Sequence, residues 1–149
     1  MKQAMDNIAA LYGYCLRKVH SVWQKLSEQG ENFTPQEVQA GAATVFLQAV
    51  RYIPLEYMQG DNSAVTEEHR AMVDRLVEIY SQALHTSLDR WKKLGPYNMD
   101  AVQAGAASIM IQALRVNYPF SDLNTQPNED EVRVSDGQVN QTGPRTRTG

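Results

Sequence analysis

The segment Val38–Arg51, VQAGAATVFLQAVR, returns 64 positions later as Val102–Arg115, VQAGAASIMIQALR. A second match runs at an offset of 68: Trp23–Leu26 (WQKL) recurs as Trp91–Leu94 (WKKL), Tyr12 as Tyr80 and Leu16 as Leu84. The four-residue difference between the offsets falls in a connecting loop, where added length costs little closure entropy. This pattern predicts a tandem duplication of a two-helix unit, with repeat one over about 3–53 and repeat two over about 65–117.

Local patterning explains why each unit is helical. Ile8, Leu11, Cys15, Val19, Val22 and Leu26 recur at spacings of three and four, which lays one apolar stripe along one helix face. Tyr12, Leu16 and Trp23 widen that stripe. The first helix is therefore predicted over about 3–29, closed by Gly30, which tolerates the left-handed cap conformation. Thr34-Pro35-Gln36-Glu37 opens the second helix, with a capping threonine, proline at the first helical position and a glutamate three residues after the cap. Pro54 stops or kinks it, and the loop LEYMQGDNS follows. Thr66-Glu67-Glu68 opens the third helix, whose stripe runs Met72, Leu76, Ile79, Ala83. There Ser87 and Arg90 replace Val19 and Val22 of the first copy, making that edge more polar. Gly95-Pro96 ends the third helix; Asn98 caps a fourth that runs to about Asn117, with Asp100 favourable in its first turn.

A lone αα-hairpin would leave its apolar stripe in water. Packing the two copies face to face buries both, so the expected fold is all-α: a four-helix bundle with pseudo-two-fold symmetry. The small-residue second and fourth helices form its central pair. Exchange of hairpins between two chains is the alternative arrangement. Gly41 and Gly105 each cost about 1 kcal/mol relative to alanine inside a helix, and so predict sites where another helix backbone comes close. The helical domain spans 1–118. From Pro119 large apolar residues become sparse and the helical period stops, so 119–149 reads as a disordered or partner-docked tail, in which EVRV is a weak candidate strand.

Composition narrows the function. The chain has 149 residues, enough for one domain with a real core, and no apolar run long enough to cross a bilayer. Its formal charge of −3 lacks the basic excess that drives non-specific nucleic-acid binding. Asp6 and Asn7 ahead of a short apolar patch do not read as a secretory signal, and the single cysteine allows no intramolecular disulfide; together these point to the cytoplasm. His20, His69 and His85 belong to no metal-binding pattern, so neither metal nor cofactor is expected. Cys15 aligns with Ala83 on the apolar stripe and reads as a core thiol. Without a phosphate loop or a nucleophile elbow, catalysis is not expected.

Three binding readings remain. The first is a non-catalytic interaction protein, a regulator, inhibitor or assembly component, that meets a protein partner or further copies of itself. Its contacts would come from Phe46, Leu47 and Val50 on the second helix and Met110, Ile111 and Leu114 on the fourth, and also from the tail. The second is a small-anion or nucleotide binder built on the matched pairs Gln48 with Arg51 and Gln112 with Arg115, since guanidinium groups grip phosphate or carboxylate bidentately. The third is nucleic-acid binding through Arg90, Lys92, Lys93, Arg145 and Arg147.

Overall fold

The computed structural model describes residues 1–59 and 65–117. Within them the chain is all-helical, with no strand: α1 (Lys2–Glu28), α2 (Pro35–Val50), α3 (Leu55–Gln59), α4 (Glu67–Leu94) and α5 (Met99–Val116). Five helices replace the four expected, because the segment predicted as a loop after Pro54 winds into the short α3. The tail, with EVRV, Arg145 and Arg147, lies outside the described residues.

The helix ends follow their local chemistry. Gln29 and Gly30 close α1, with Gly30 at φ 103°. At the start of α2 the Thr34 hydroxyl accepts from the Gln36 amide at 3.3 Å, and the Glu37 carboxylate reaches back to accept from the Thr34 amide at 2.6 Å. The capping box is thus complete, and Pro35 occupies the first helical position without losing a needed donor. Thr66 caps α4 by accepting from the His69 amide at 3.2 Å, and Asn98 caps α5 by accepting from the Ala101 amide at 2.8 Å. Gly95, at φ 124°, ends α4 ahead of Pro96.

The long helices pack α1 on α2 and α4 on α5; α2 also touches both α4 and α5, and α1 touches α3 and α4. From α1 the core takes Leu11, Cys15, Val19, Trp23 and Leu26, and from α4 it takes Leu76, Tyr80 and Leu84, all buried. Each large apolar side chain removed from water contributes roughly 1.5–3 kcal/mol, which is why the stripes decide the packing.

The four long helices meet at one hydroxyl. Trp23 Nε1 of α1 donates to Tyr80 Oη of α4 at 3.1 Å, and Tyr80 in turn donates to Gln103 Oε1 of α5. All three residues are buried. Gly41 of α2 supplies the room: a Cβ built there would lie 2.8 Å from Tyr80 Cζ and 2.9 Å from Val19 Cγ1. Burial pushes the Tyr80 phenol well above its ordinary pKa, so it stays a neutral donor.

Gly105 has a corresponding reason. A Cβ there would lie 3.4 Å from Ser87 Cβ and closer still to Ser87 Oγ. In both cases the neighbour is a side chain, not the helix backbone that the sequence suggested. Ser87, expected to make its edge of α4 polar, is instead buried and donates to the Val102 carbonyl at 2.9 Å. The thiol of Cys15 is also buried, and burial pushes it up to about 12.

Two stability predictions follow from this packing. Gly41→Ala is expected to cost about 1–3 kcal/mol by overpacking, and Tyr80→Phe about 1–3 kcal/mol by stranding the Trp23 and Gln103 groups. The double variant should cost less than the sum, because removing the hydroxyl relieves part of the clash. Urea unfolding followed by circular dichroism measures all three. A thiol reagent at pH 8 should leave Cys15 unlabelled in the native protein and label it fully in denaturant.

Candidate interaction surface

The two-sidedness of α1 creates the main surface feature. One face carries Leu11, Cys15, Val19 and Leu26 into the core. Around the cylinder, Tyr12, Gly13 and Leu16 are half-buried and Arg17 and His20 are exposed. α2 runs antiparallel beside this face: Phe33, just before it, meets His20 at a ring distance of 6.0 Å, while Phe46 near its end meets Tyr12 edge-on at 5.7 Å.

Between the two helices lies an open cavity of about 430 Å³, lined mainly by Gly13, Leu16, Arg17, Phe33, Val38 and Gln39. Its floor is apolar and its polar groups sit on the rim. Helical periodicity carries the same α2 face from Gln39 through Ala43 to Phe46 and Val50, all three half-buried. Beside it Leu47 stands 58% exposed. The cavity itself lies between Gly13, Leu16 and Arg17 of α1 and Phe33, Val38 and Gln39 beside them, and the half-buried Ala43, Phe46 and Val50 continue that face of α2 beyond it.

The residues expected at an interface divide unevenly. Phe46, Leu47 and Val50 belong to the groove or its flank. On α5, by contrast, Met110 and Leu114 are buried in the chain's own core, which corrects their assignment to an outward surface. Ile111 is half-buried, and the large apolar residues that α5 presents to solvent are Ile109, 37% exposed, and Val116, 83% exposed at its end. The difference is one of helix phase: α5 buries Val102, Ala106, Met110 and Leu114 along a single line, so its apolar residues are less surplus than their number suggested.

The matched amide and guanidinium pairs turn inward on themselves. Arg51 Nη1 donates to Gln48 Oε1 at 3.0 Å, and Arg115 Nη1 donates to Gln112 Oε1 at 2.9 Å. These are contacts between residues three apart on one helix, of the sort that supports a helix end. Neither pair lines the cavity between α1 and α2 or the one where α2 and α5 begin. Among the basic residues, Lys92 pairs with Glu31 at 3.2 Å, while Arg90 and Lys93 are exposed. Among the described residues, no group of three histidine, cysteine or acidic side chains is placed to hold a metal ion, and no helix is long and apolar enough to cross a membrane.

A second cavity, about 310 Å³, opens where α2 and α5 begin, lined by Phe33, Thr34, Glu37, Asn98 and Asp100 among others. Here two carboxyl groups share a hydrogen bond. Burial pulls the Glu37 carboxyl upward, but the bonds from Asp100 and Thr34 outweigh it and hold Glu37 below the ordinary range. The bond to Glu37, and then its charge, raise Asp100. When the pair holds one proton, Asp100 is therefore the favoured site.

Sequence reasoning placed Leu16 and Tyr12 on the flank of the core stripe and left Gly13, Phe33 and Gln39 without a role in a surface. One signal was available: Gly13 falls inside a long helical pattern, and at the 68-residue offset of the Trp23–Trp91 match the corresponding residue is Ser81, not glycine. The chain matches no known protein-family model, curated protein or solved structure.

The carboxyl pair gives a pH prediction. Because the folded state raises the pKa of Asp100, its contribution is complete below its unfolded value, near 3.8, and is lost as pH rises through the folded value. Asp100→Asn keeps the donor at every pH. It should raise the melting temperature at pH 7, with the gain vanishing below about pH 3.8. Glu37 follows the opposite sign: its contribution is present above its unfolded value and is lost as pH falls through the lower folded one. Thermal melts of wild type and Asp100→Asn between pH 3 and pH 7 measure the difference.

Proposed function

We propose that this chain is a non-catalytic helical interaction protein of the cytoplasm, acting through the outer groove of the α1/α2 pair. The observation that carries the reading is the open cavity itself, with Leu16, Phe33 and Val38 at its base, beside the Tyr12–Phe46 ring pair and exposed Leu47 further along α2. A contiguous apolar surface with a polar rim is the form taken by sites that receive an amphipathic helix. The surface proposed from sequence, α2 together with α5, gives way to α2 together with α1, because α5 uses Met110 and Leu114 internally. The buried free thiol of Cys15 accords with a reducing compartment.

The architecture we propose behind it is the duplicated αα-hairpin. Gly41 lies against Val19 in the first unit, and Gly105 lies against Ser87, the residue aligned with Val19, in the second. Trp23 and Trp91 mark where the copies have diverged: Trp23 is buried and bonded to Tyr80, whereas Trp91 is half-buried.

A photo-crosslinking amino acid placed at Gln39, exposed on the groove rim, tests the reading in cells. Gln39 should give discrete polypeptide adducts that disappear when Ala43→Glu obstructs the groove one turn further along. The same probe at Gln82, exposed on α4, should give none. Equal yields at Gln39 and Gln82 would rule the groove out as an interaction site.

A further inference from the structure

The groove holds a glycine that its own chain does not use. Gly13 sits mid-way along α1, where glycine destabilises a helix relative to alanine. A Cβ added to Gly41 or Gly105 runs into Tyr80 or Ser87, but one added to Gly13 meets no heavy atom within 4 Å. Its backbone conformation is helical and demands no glycine. What Gly13 provides is a low point on the groove wall, where another helix can approach the α1 backbone closely.

The flanking charges indicate which helix. Asp6 lies seven residues before Gly13 and His20 seven after, with Arg17 between, so the three share one helix face with the glycine. All three are exposed. Asp6 is engaged by Lys2 at 3.2 Å in a solvated pair, and Arg17 lies 5.1 Å above the ring of Tyr14; neither is fixed by burial. A two-fold axis through Gly13 that sets two α1 helices antiparallel brings Asp6 of each copy opposite His20 of the other, with the other copy's Arg17 one turn nearer the axis. The two copies of Gly13 then meet at the centre, with Ala9 of each beside Arg17 of the other. A parallel pairing sets like charge on like charge. The surface is complementary to itself in one orientation, as an isologous contact requires.

We infer that the occupant of the groove is a second copy of this chain, bound as an antiparallel dimer whose α1 helices cross at Gly13. The inference rests on the groove being an interaction site, and sedimentation velocity of the full chain, combined with the Gln39 crosslink, separates the two. Wild type should sediment as a dimer, with a Gln39 adduct of twice the chain mass. Gly13→Leu should sediment as a monomer with unchanged helical circular dichroism, since a Cβ there meets no heavy atom of the single chain and the open cavity lies beside it. Asp6→Lys should be monomeric, and so should Arg17→Glu combined with His20→Glu. An equimolar mixture of these two charge variants should recover the dimer.

A dimer that survives Gly13→Leu, or charge variants that stay apart when mixed, would overturn the inference. A monomeric wild type whose Gln39 crosslinks to a different polypeptide would overturn it while leaving the groove as an interaction site. A monomer without adducts would overturn both.

Discussion

The hydroxyl of Tyr80 is the point on which the tertiary structure turns. It receives the indole proton of Trp23 and gives its own to Gln103, so α1, α4 and α5 are tied through one oxygen. α2 joins the same point by leaving a space, at Gly41. A buried polar group is costly unless it is satisfied, and a satisfied one rejects arrangements that would strand it. Apolar stripes alone allow helices to slide or rotate past one another. A tryptophan, a tyrosine and a glutamine that must meet at one place do not.

That constraint carries outward to the surface. With Trp23 and Tyr80 locked, the core-facing side of α1 is set, and so is the opposite side that lies beside α2. The cavity beside Phe33 is thus a consequence of how the interior is pinned. Arg17, His20 and Gln39 are its polar groups, Leu16, Phe33 and Val38 are apolar, and its wall dips at Gly13. The Glu37 and Asp100 carboxyls, near one end of the cavity, face each other at the beginnings of α2 and α5. Each carboxyl also meets the partial positive charge of a helix N-terminus, which offsets part of their mutual repulsion.

Much of this was legible in the residues, and the parts that were not share a cause. The capping box of Thr34 and Glu37, the caps at Thr66 and Asn98 and the stops at Gly30 and Gly95 depend on neighbours within a few positions, and all formed where the sequence placed them. Cys15 went into the core because its stripe did. Met110 and Leu114 were misjudged because an apolar residue on a small-residue helix looks alike whether it faces a neighbour or solvent; only the rotation of α5 decides. Gln103 and Gln39 are matched in sequence, yet one is a buried acceptor and the other a rim residue. Their partners lie on other helices, beyond the reach of any local pattern.

The sequence by itself determined that this chain is helical, where its long helices begin and end, and most of the buried stripes of α1 and α4, although Ile8 at the start of the α1 stripe is 39% exposed and Val22 and Ile79 are half-buried. These are short-range matters of capping, periodicity and backbone preference. Tertiary structure alone decided which helix meets which, that Tyr80 and not its counterpart Tyr12 takes the central position, and that α1 and α2 leave an open groove. The physical reason is that the partners of Tyr80, Trp23 on α1, Gly41 on α2 and Gln103 on α5, lie far apart along the chain, so no local pattern selects Tyr80 over Tyr12.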